Sequence, residues 1–341
     1  MLGLAGVPAG WLSGAIVAVA IAALAGRPMA IPGPLMRANF VLIGISLGAV
    51  VTPETLRGVT TWPLSIAILV VATTCISVAS GQYLRLVHRW NKATAYLAAA
   101  PGAMSQAMIA AAEIGADLRA VVIVQTMRVV IVAVVLPGTL ALFGIVGESA
   151  GGLGGTFDAA QLDELAILVA VSTAVAVGLQ YAGFPGGLLF GSMLCSAALH
   201  GSGLIQVTMP WWVAIIAMIS LGSVAGARFS NTSLRLLGVF MGAALGSFAV
   251  AAVIAFLFAL VLVALLPLPV ADVMIAFAPG GVDAMMLLAL ALNLDPVYVG
   301  AHHLVRVFFV LILVSFLARR RRREAPAPTP QRTPKPPTFQ D

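Results

Sequence analysis

The sequence predicts an all-α polytopic membrane protein, built as an inverted tandem repeat with two broken or re-entrant helices. Three observations lead to this fold class: the composition, a repeat at one fixed spacing, and the placement of the basic residues. Of the 341 residues, 61% are hydrophobic and only 9% are charged. Soluble domains carry about 25% charged residues, so too few polar side chains are present to cover a water-soluble globule. This composition excludes a soluble enzyme and a disordered chain.

Uncommon residues recur 178 positions apart, which indicates a tandem duplication. The clearest matches are Pro101 with Pro279, Asp117 with Asp295, and Arg128 with Arg306. Chance similarity between apolar helices does not align proline, aspartate and arginine at one spacing. Three pairs of glycines four residues apart accompany the repeat and predict closely packed helices; they are Gly44 and Gly48, Gly222 and Gly226, and Gly187 and Gly191.

Apolar runs near the length of about 20 residues needed for one crossing define the predicted helices. They cover 8–25, 38–52, 60–84, 118–147, 163–183, 185–200, 211–228, 236–266 and 297–318. Two further segments, 93–116 and 270–292, are interrupted by Pro-Gly pairs, and proline and glycine both disfavour a continuous helix. Each segment either crosses the membrane as a broken helix or returns to its own side as a re-entrant hairpin.

The basic residues favour re-entrant hairpins. With two hairpins, the Lys and Arg residues outside the membrane fall on one side, as the positive-inside rule requires, with Arg57 as the exception. The two halves then insert in opposite orientations, and secondary transporters of this architecture bind substrate near the midplane. The prediction is a protein of the bacterial inner membrane with a cytoplasmic C-terminus.

The predicted organisation follows from the repeat. A first membrane repeat covers 1–147, an extracytoplasmic linker 148–162, a second repeat 163–318, and a basic, Pro-rich disordered tail 319–341. Shifting helix 163–183 back by 178 places its partner mostly before Met1. We therefore expect the first repeat to lack its N-terminal helix.

The motifs around both breaks resemble the AbrB membrane-duplication family. They are Pro101-Gly-Ala-Met-Ser-Gln with Gln125-x-x-Arg128, and Ala278-Pro-Gly-Gly-Val-Asp with Ala301-His-His-Leu-Val-Arg306. Members often carry an ammonia-monooxygenase label and sometimes a regulator label. The resemblance implies a fold related to cation–proton antiporters and anion symporters. Ala103 and Asp283 depart from the usual pattern, in which a second glycine and a longer or neutral polar side chain are common.

Two arginines are the main candidates for solute binding. Arg128 and Arg306 occupy equivalent positions within apolar helices, where charged groups are costly and default to functional hypotheses. Converging guanidinium groups could hold a carboxylate or another oxyanion. In the alternative interpretation each arginine pairs with an acid, Glu113 or Asp283, and locks a hairpin.

Other candidate residues surround the hairpin tips. Ser105, Gln106, Gly102, Gly280 and Gly281 are expected to contact the solute, although Ser105 and Gln106 would also serve as helix caps. Coupling to protons or Na⁺ is assigned to Asp283, His303 and Glu113, with a helix-cap role as the alternative for Asp283. His302 and His303 have no third metal-ligand residue nearby in the sequence, so neither a metal nor a cofactor is expected.

The predicted function is a secondary transporter of a small anionic solute. The alternatives are a membrane-bound monooxygenase-type enzyme and a membrane regulator of gene expression. No nucleophile motif or cofactor-binding loop favours an enzyme. The expected partners are the solute and the lipid bilayer, with a homodimer as an option and no nucleic acid.

Overall fold

The computed structural model describes residues 9–50, 62–102, 104–144, 161–230 and 232–324. Within these ranges the chain forms thirteen helices. They are α1 (Gly10–Leu24), α2 (Gly33–Gly48), α3 (Trp62–Leu86), α4 (Lys92–Ala99), α5 (Met104–Glu113), α6 (Leu118–Leu142), α7 (Leu162–Tyr181), α8 (Gly187–Gly201), α9 (Trp211–Ala227), α10 (Leu234–Leu265), α11 (Val270–Phe277), α12 (Val282–Ala291) and α13 (Pro296–Glu324). Arg57, Ala103, most of the predicted linker and most of the predicted tail lie outside the described residues.

Five of the described helices are long and apolar enough to cross a bilayer, namely α3, α6, α7, α10 and α13. Their outward faces are apolar too: on α10, Val253, Leu257 and Val261 are each at least half exposed. A stable monomer in water rarely exposes an apolar surface of this length, whereas contact with lipid favours such a surface. The chain is therefore a multi-pass membrane protein.

Four shorter helices correspond to predicted crossings. They are α1, α2, α8 and α9, which contain 15, 16, 15 and 17 residues. At 1.5 Å per residue even α9 spans only about 26 Å, slightly less than a hydrocarbon core about 30 Å thick. These helices are thus shorter than full-length crossings.

Several predicted helix boundaries are wrong; α6, for example, ends at Leu142 rather than at 147, and two other differences have a clear local cause. Helix α2 begins at Gly33 rather than at 38, because Pro34 lies in its first turn, where a missing N–H breaks no helical hydrogen bond. Helix α13 continues beyond 318 through the basic run to Glu324. Arginine and glutamate are good helix formers, and the next proline in the sequence is Pro326.

The paired glycines lie where helix backbones approach closely, as predicted. A Cβ atom at Gly222 would be 2.5 Å from the carbonyl oxygen of Leu12, and one at Gly226 would be 2.7 Å from that of Ile16. Gly44 and Gly48 meet the backbone of α8 in the same manner, and Gly187 and Gly191 meet that of α7. A side chain at any of these positions would push the two helices apart.

Helices α3 and α10 pack against each other in antiparallel orientation. Ser80 Oγ donates to the carbonyl oxygen of Ser247 (3.2 Å), and one turn further along α3 the Tyr83 hydroxyl donates to that of Gly242 (3.5 Å). The contact positions rise along α3 while they fall along α10. The two helices therefore run in opposite directions across the protein.

The two broken segments each form a helical hairpin. After α5, the Asp117 N–H donates to Thr94 Oγ1 in the first turn of α4 (2.9 Å). After α12, the Asp295 N–H donates to Asp272 Oδ1 in the first turn of α11 (2.7 Å). Each segment thus returns to the level at which it began. We call α4–α5 the first hairpin and α11–α12 the second hairpin.

Candidate functional site

Both hairpins break where a Pro-Gly pair interrupts the helix. Ala100 ends α4 with extended dihedral angles, and Ala278 does the same for α11. A residue that precedes proline is pushed out of the helical region, so Pro101 and Pro279 fix these two ends. Gly102 then adopts a φ of +85°, which a residue with a side chain rarely adopts. The breaks lie where the sequence predicts them.

Two buried arginines bind carbonyl oxygens that these breaks leave without helical partners. From α6, Arg128 donates through its two terminal nitrogens to Ala99 (2.9 Å) and Ala100 (2.8 Å). From α13, Arg306 donates to Ala278 (2.5 Å) and to Ala276. The last carbonyls of a helix lack helical partners, and a cation there also favours the helix dipole. The arginines therefore lock the hairpins through backbone oxygen atoms, rather than through Glu113 or Asp283 as the alternative interpretation expected.

A second contact holds each hairpin one turn before the arginine. Gln125 Nε2 donates to the carbonyl oxygen of Leu97 (2.7 Å), and His303 Nε2 donates to that of Ile275 (3.1 Å). Both side chains are buried. Helices α6 and α13 thus position the tips of the two hairpins through paired side-chain contacts.

A cavity of about 350 Å³ lies between the two hairpin tips. Its lining residues include Gly102 and Arg128 on one side, and Gly280, Gly281 and Asp283 on the other. Apolar side chains from several helices complete the wall; among them are Phe40, Val129, Phe190, Leu304 and Val307. The cavity therefore combines charged groups at the hairpin tips with an apolar surround.

Among the described residues, three charged side chains line this cavity. Arg128 is 4% exposed, and its Nε is buried without a hydrogen-bond partner among the described residues. Arg228, at the end of α9, also lines the cavity and interacts electrostatically with the Asp283 carboxylate. The guanidinium groups of Arg128 and Arg306 are close enough to repel each other. The charges at the hairpin tips are therefore predominantly positive.

The cavity contains some, but not all, of the predicted site residues. Arg306 and His303 are buried behind the second hairpin and are not among its lining residues. Glu113 is exposed at the end of α5 and is not among them either. Ser105 and Gln106 lie in the first turn of α5, and their side chains are outside the described part of the chain.

The sequence analysis missed Arg228 and Gln125 as lining residues. Arg228 was counted only among the basic residues that set the topology, and nothing in its local sequence distinguishes it from them. Gln125 belongs to the motif Gln125-x-x-Arg128 and precedes Arg128 by three residues, so the two share a helix face. That spacing was the signal that could have identified Gln125.

A polar cluster beside the second hairpin was also missed. The Tyr298 hydroxyl lies 2.8 Å from Ser65 Oγ, which lies 2.5 Å from His302 Nε2. His302 Nδ1 donates to the Tyr298 carbonyl oxygen (2.7 Å), so Nε2 of a neutral imidazole must accept. The hydroxyls then form a chain from Tyr298 through Ser65 to His302. Among the described residues, no group of three or more His, Cys, Asp or Glu side chains could hold a metal ion.

Comparison with known proteins places the whole membrane region in one family. A family model described as "Transition state regulatory protein AbrB" matches residues 11–322. The chain belongs to the AbrB family. The AbrB match includes both hairpins and all the residues that line the cavity.

Two bacterial relatives are similar to this AbrB-family chain over most of its length. One is "Uncharacterized protein YhjN" of Bacillus subtilis (strain 168), 25% identical, with 92% of this chain and 88% of the relative covered. The other is "Putative regulator AbrB" of Escherichia coli (strain K12), also 25% identical, with 92% and 90% covered. No solved structure matches the chain.

Proposed function

We propose that this AbrB-family protein is a secondary transporter of a small anionic solute, coupled to protons or Na⁺. The observation that carries the proposal is the cavity between the tips of two broken hairpins, which Arg128 and Asp283 line. Paired broken helices form the substrate site in many secondary transporters, because their free ends present dipoles and unpaired backbone groups to a ligand. The proposed location is the bacterial inner membrane, with the C-terminus cytoplasmic.

An inverted repeat is part of the proposal. Adding 178 to the bounds of α4 gives those of α11, and adding 178 to the bounds of α5 gives those of α12. The same addition relates the hydrogen bond from Arg128 to Ala100 to the bond from Arg306 to Ala278. Helices α3 and α10 correspond under this spacing and pack in antiparallel orientation. Equivalent helices that run in opposite directions support two halves of opposite orientation.

The electrostatics of the hairpin tips favour an anion. Helices α5 and α12 begin at the breaks, so their positive dipole ends lie beside the cavity. The opposing ends of α4 and α11 are negative, but Arg128 and Arg306 donate to their carbonyl oxygens. The net effect is a positive potential at the point where the two hairpins meet.

Asp283 is the proposed coupling residue. It lies in the first turn of α12, lines the cavity and interacts with Arg228. Protonation of its carboxylate would release Arg228 to the solute, whereas Na⁺ would use the same carboxylate as a ligand. Either event links ion binding to anion binding through one side chain.

The name of the Escherichia coli relative favours a second candidate, a membrane regulator. A regulator could use the same cavity to sense the solute without moving it. Transport is the property that separates the two functions, since both predict binding. A membrane-bound enzyme has no comparable support, because the cavity residues supply an anion site rather than a nucleophile or a metal centre.

The test is flux in proteoliposomes loaded with a pH-sensitive dye for the pH gradient and with a Na⁺-sensitive dye for the Na⁺ gradient. A panel of monocarboxylates, dicarboxylates, phosphate and sulfate is added under an imposed pH or Na⁺ gradient, with protein-free liposomes as the control for passive permeation. At least one anion should produce flux that requires the protein and that Asp283→Asn abolishes. If no anion gives protein-dependent flux under either gradient, the transporter proposal is wrong.

A further inference from the structure

The lining of the cavity combines a few polar groups with apolar side chains. At the hairpin tips lie Arg128 and the backbone of Gly102, Gly280 and Gly281. The other lining residues include the apolar side chains of Phe40, Val129, Phe190, Leu304 and Val307, together with Gln125, Arg228 and Asp283. A ligand that fills this space must satisfy the few polar groups and present apolar surface to the remaining side chains.

The hairpin tips offer donors for one carboxylate. The terminal nitrogens of Arg128 are occupied by Ala99 and Ala100, which leaves Nε as its free donor. A buried N–H without a hydrogen-bond partner costs free energy. A ligand oxygen that accepts from Nε would remove this cost. Nε is shielded from solvent in this conformation, and a small shift of the guanidinium would bring it to a ligand oxygen. The first N–H groups of α12, which lack helical partners, can serve the second oxygen.

The charges of the lining residues favour a single negative charge. While Asp283 is ionised, Arg228 and Asp283 attract each other and compensate within the cavity wall. Arg128 then remains as the uncompensated charge among the described lining residues. A second anionic group would have no uncompensated cation among the described lining residues, and an unpaired charge beside apolar side chains is strongly unfavourable.

We propose that the cavity binds a monocarboxylate with a compact apolar body, such as a branched short-chain acid or an aromatic acid. This inference rests on the proposed function and narrows its solute from anions in general to one class. The cavity volume of about 350 Å³ lies near the lower end of the range for ligand pockets. Phosphate and sulfate would place strongly hydrated oxygens against the aromatic and aliphatic wall.

The test is the thermal stability of the purified full-length chain in detergent, because a ligand of the folded state raises its melting temperature. The probes are sodium 3-methylbutanoate and sodium benzoate. They are compared with succinate, phosphate and sulfate at matched ionic strength, and with the neutral isostere 3-methylbutanamide. The two monocarboxylates should raise the melting temperature in a saturable manner, and the amide and the other anions should not.

A pair of variants on α13 locates the effect. Leu304→Phe enlarges a side chain that lines the cavity, whereas Ile312→Phe makes a similar enlargement at a side chain that is 69% exposed. Leu304→Phe should shift the half-saturating benzoate concentration at least severalfold, and Ile312→Phe should leave it unchanged. Equal shifts in both variants, or in neither, would overturn the assignment to this cavity.

The outcomes separate this inference from the proposed function. Stabilisation by succinate, phosphate or sulfate without stabilisation by either monocarboxylate overturns the solute class and leaves an anion site in place. Stabilisation by the neutral amide to the same extent as the acid shows that charge is not recognised. If none of the anions stabilises the protein, both the solute class and the anion site lose their support.

Discussion

Arg128 and Arg306 make equivalent contacts to the two hairpins but differ in their access to the cavity. Each donates two hydrogen bonds to carbonyl oxygens at the end of a short helix. Only Arg128 of the two lines the cavity, and its Nε is buried without a hydrogen-bond partner among the described residues. Replacing each arginine with lysine should therefore separate the locking of a hairpin from the binding of the solute.

The expected loss of stability follows from the contacts. A lysine ammonium on a flexible stem reaches one carbonyl well where the guanidinium fork reaches two. A hydrogen bond to a charged group contributes about 1.5–3 kcal/mol. Arg128→Lys and Arg306→Lys should each lower the free energy of unfolding by about 2 kcal/mol. Because lysine has no Nε–H beside the cavity, Arg128→Lys should in addition bind a carboxylate about tenfold more weakly, or about 1.4 kcal/mol.

Two measurements distinguish these effects. Unfolding in detergent by increasing sodium dodecyl sulfate reports stability, and the half-saturating concentration of sodium 3-methylbutanoate in thermal shifts reports binding. Arg235→Lys, on an exposed side chain of α10, is the matched control and should change neither. The reasoning is refuted if Arg306→Lys weakens binding as much as Arg128→Lys, or if neither variant is less stable than Arg235→Lys.

Three further predictions test the capping of α13, the coupling and the topology. Asp295→Ala should lower stability by about 1 kcal/mol without changing carboxylate affinity, because Asp295 Oδ1 accepts from two N–H groups in the first turn of α13; unfolding and thermal-shift titrations measure both. Asp283→Asn should still bind the carboxylate but lose solute-driven proton or Na⁺ flux, and unchanged flux would exclude Asp283 as the coupling residue. Single cysteines at Asn91 and Val270, which flank the starts of the two hairpins, should react with an impermeant label from opposite sides of the membrane; labelling from one side would contradict the inverted arrangement.

The breaks and the close helix contacts were predictable because they depend on local chemistry. Pro101 and Pro279 cannot continue a helix in any tertiary context. Gly222 and Gly226, four residues apart on an apolar helix, similarly predict close packing without knowledge of the partner helix. The sequence could not indicate that α1 is the partner helix of α9, because the contact joins residues about 200 positions apart.

The hydrogen-bond partners of the buried arginines could not be predicted from the side chains in the sequence. The sequence suggested acids, because an acid is the obvious neighbour for a buried cation. The structure uses the backbone oxygens of Ala99, Ala100 and Ala278 instead. Every residue carries a carbonyl group, so residue type gives no sign of which carbonyls a helix break leaves free. Ser65 likewise gave no signal of its hydrogen bond to the His302 imidazole, because 237 positions separate the two residues in the sequence.

The positions that differ between the two halves favour different roles for the two halves. Where both halves carry the same residue, as at Arg128 and Arg306, the side chain performs the same structural task on the backbone. Where they differ, the first half has a neutral amide at Gln125 and the second has an imidazole at His303, although both donate to an equivalent carbonyl oxygen. Asp283 likewise has the neutral Ser105 as its counterpart at a spacing of 178. Either Gln125 or His303 can donate the hydrogen bond that holds its hairpin. The imidazole of His303 can in addition bind or release a proton, which that hydrogen bond does not require. The second half therefore carries the groups suited to ion coupling, Asp283 and His303, while the free donor of Arg128 favours solute contact in the first half.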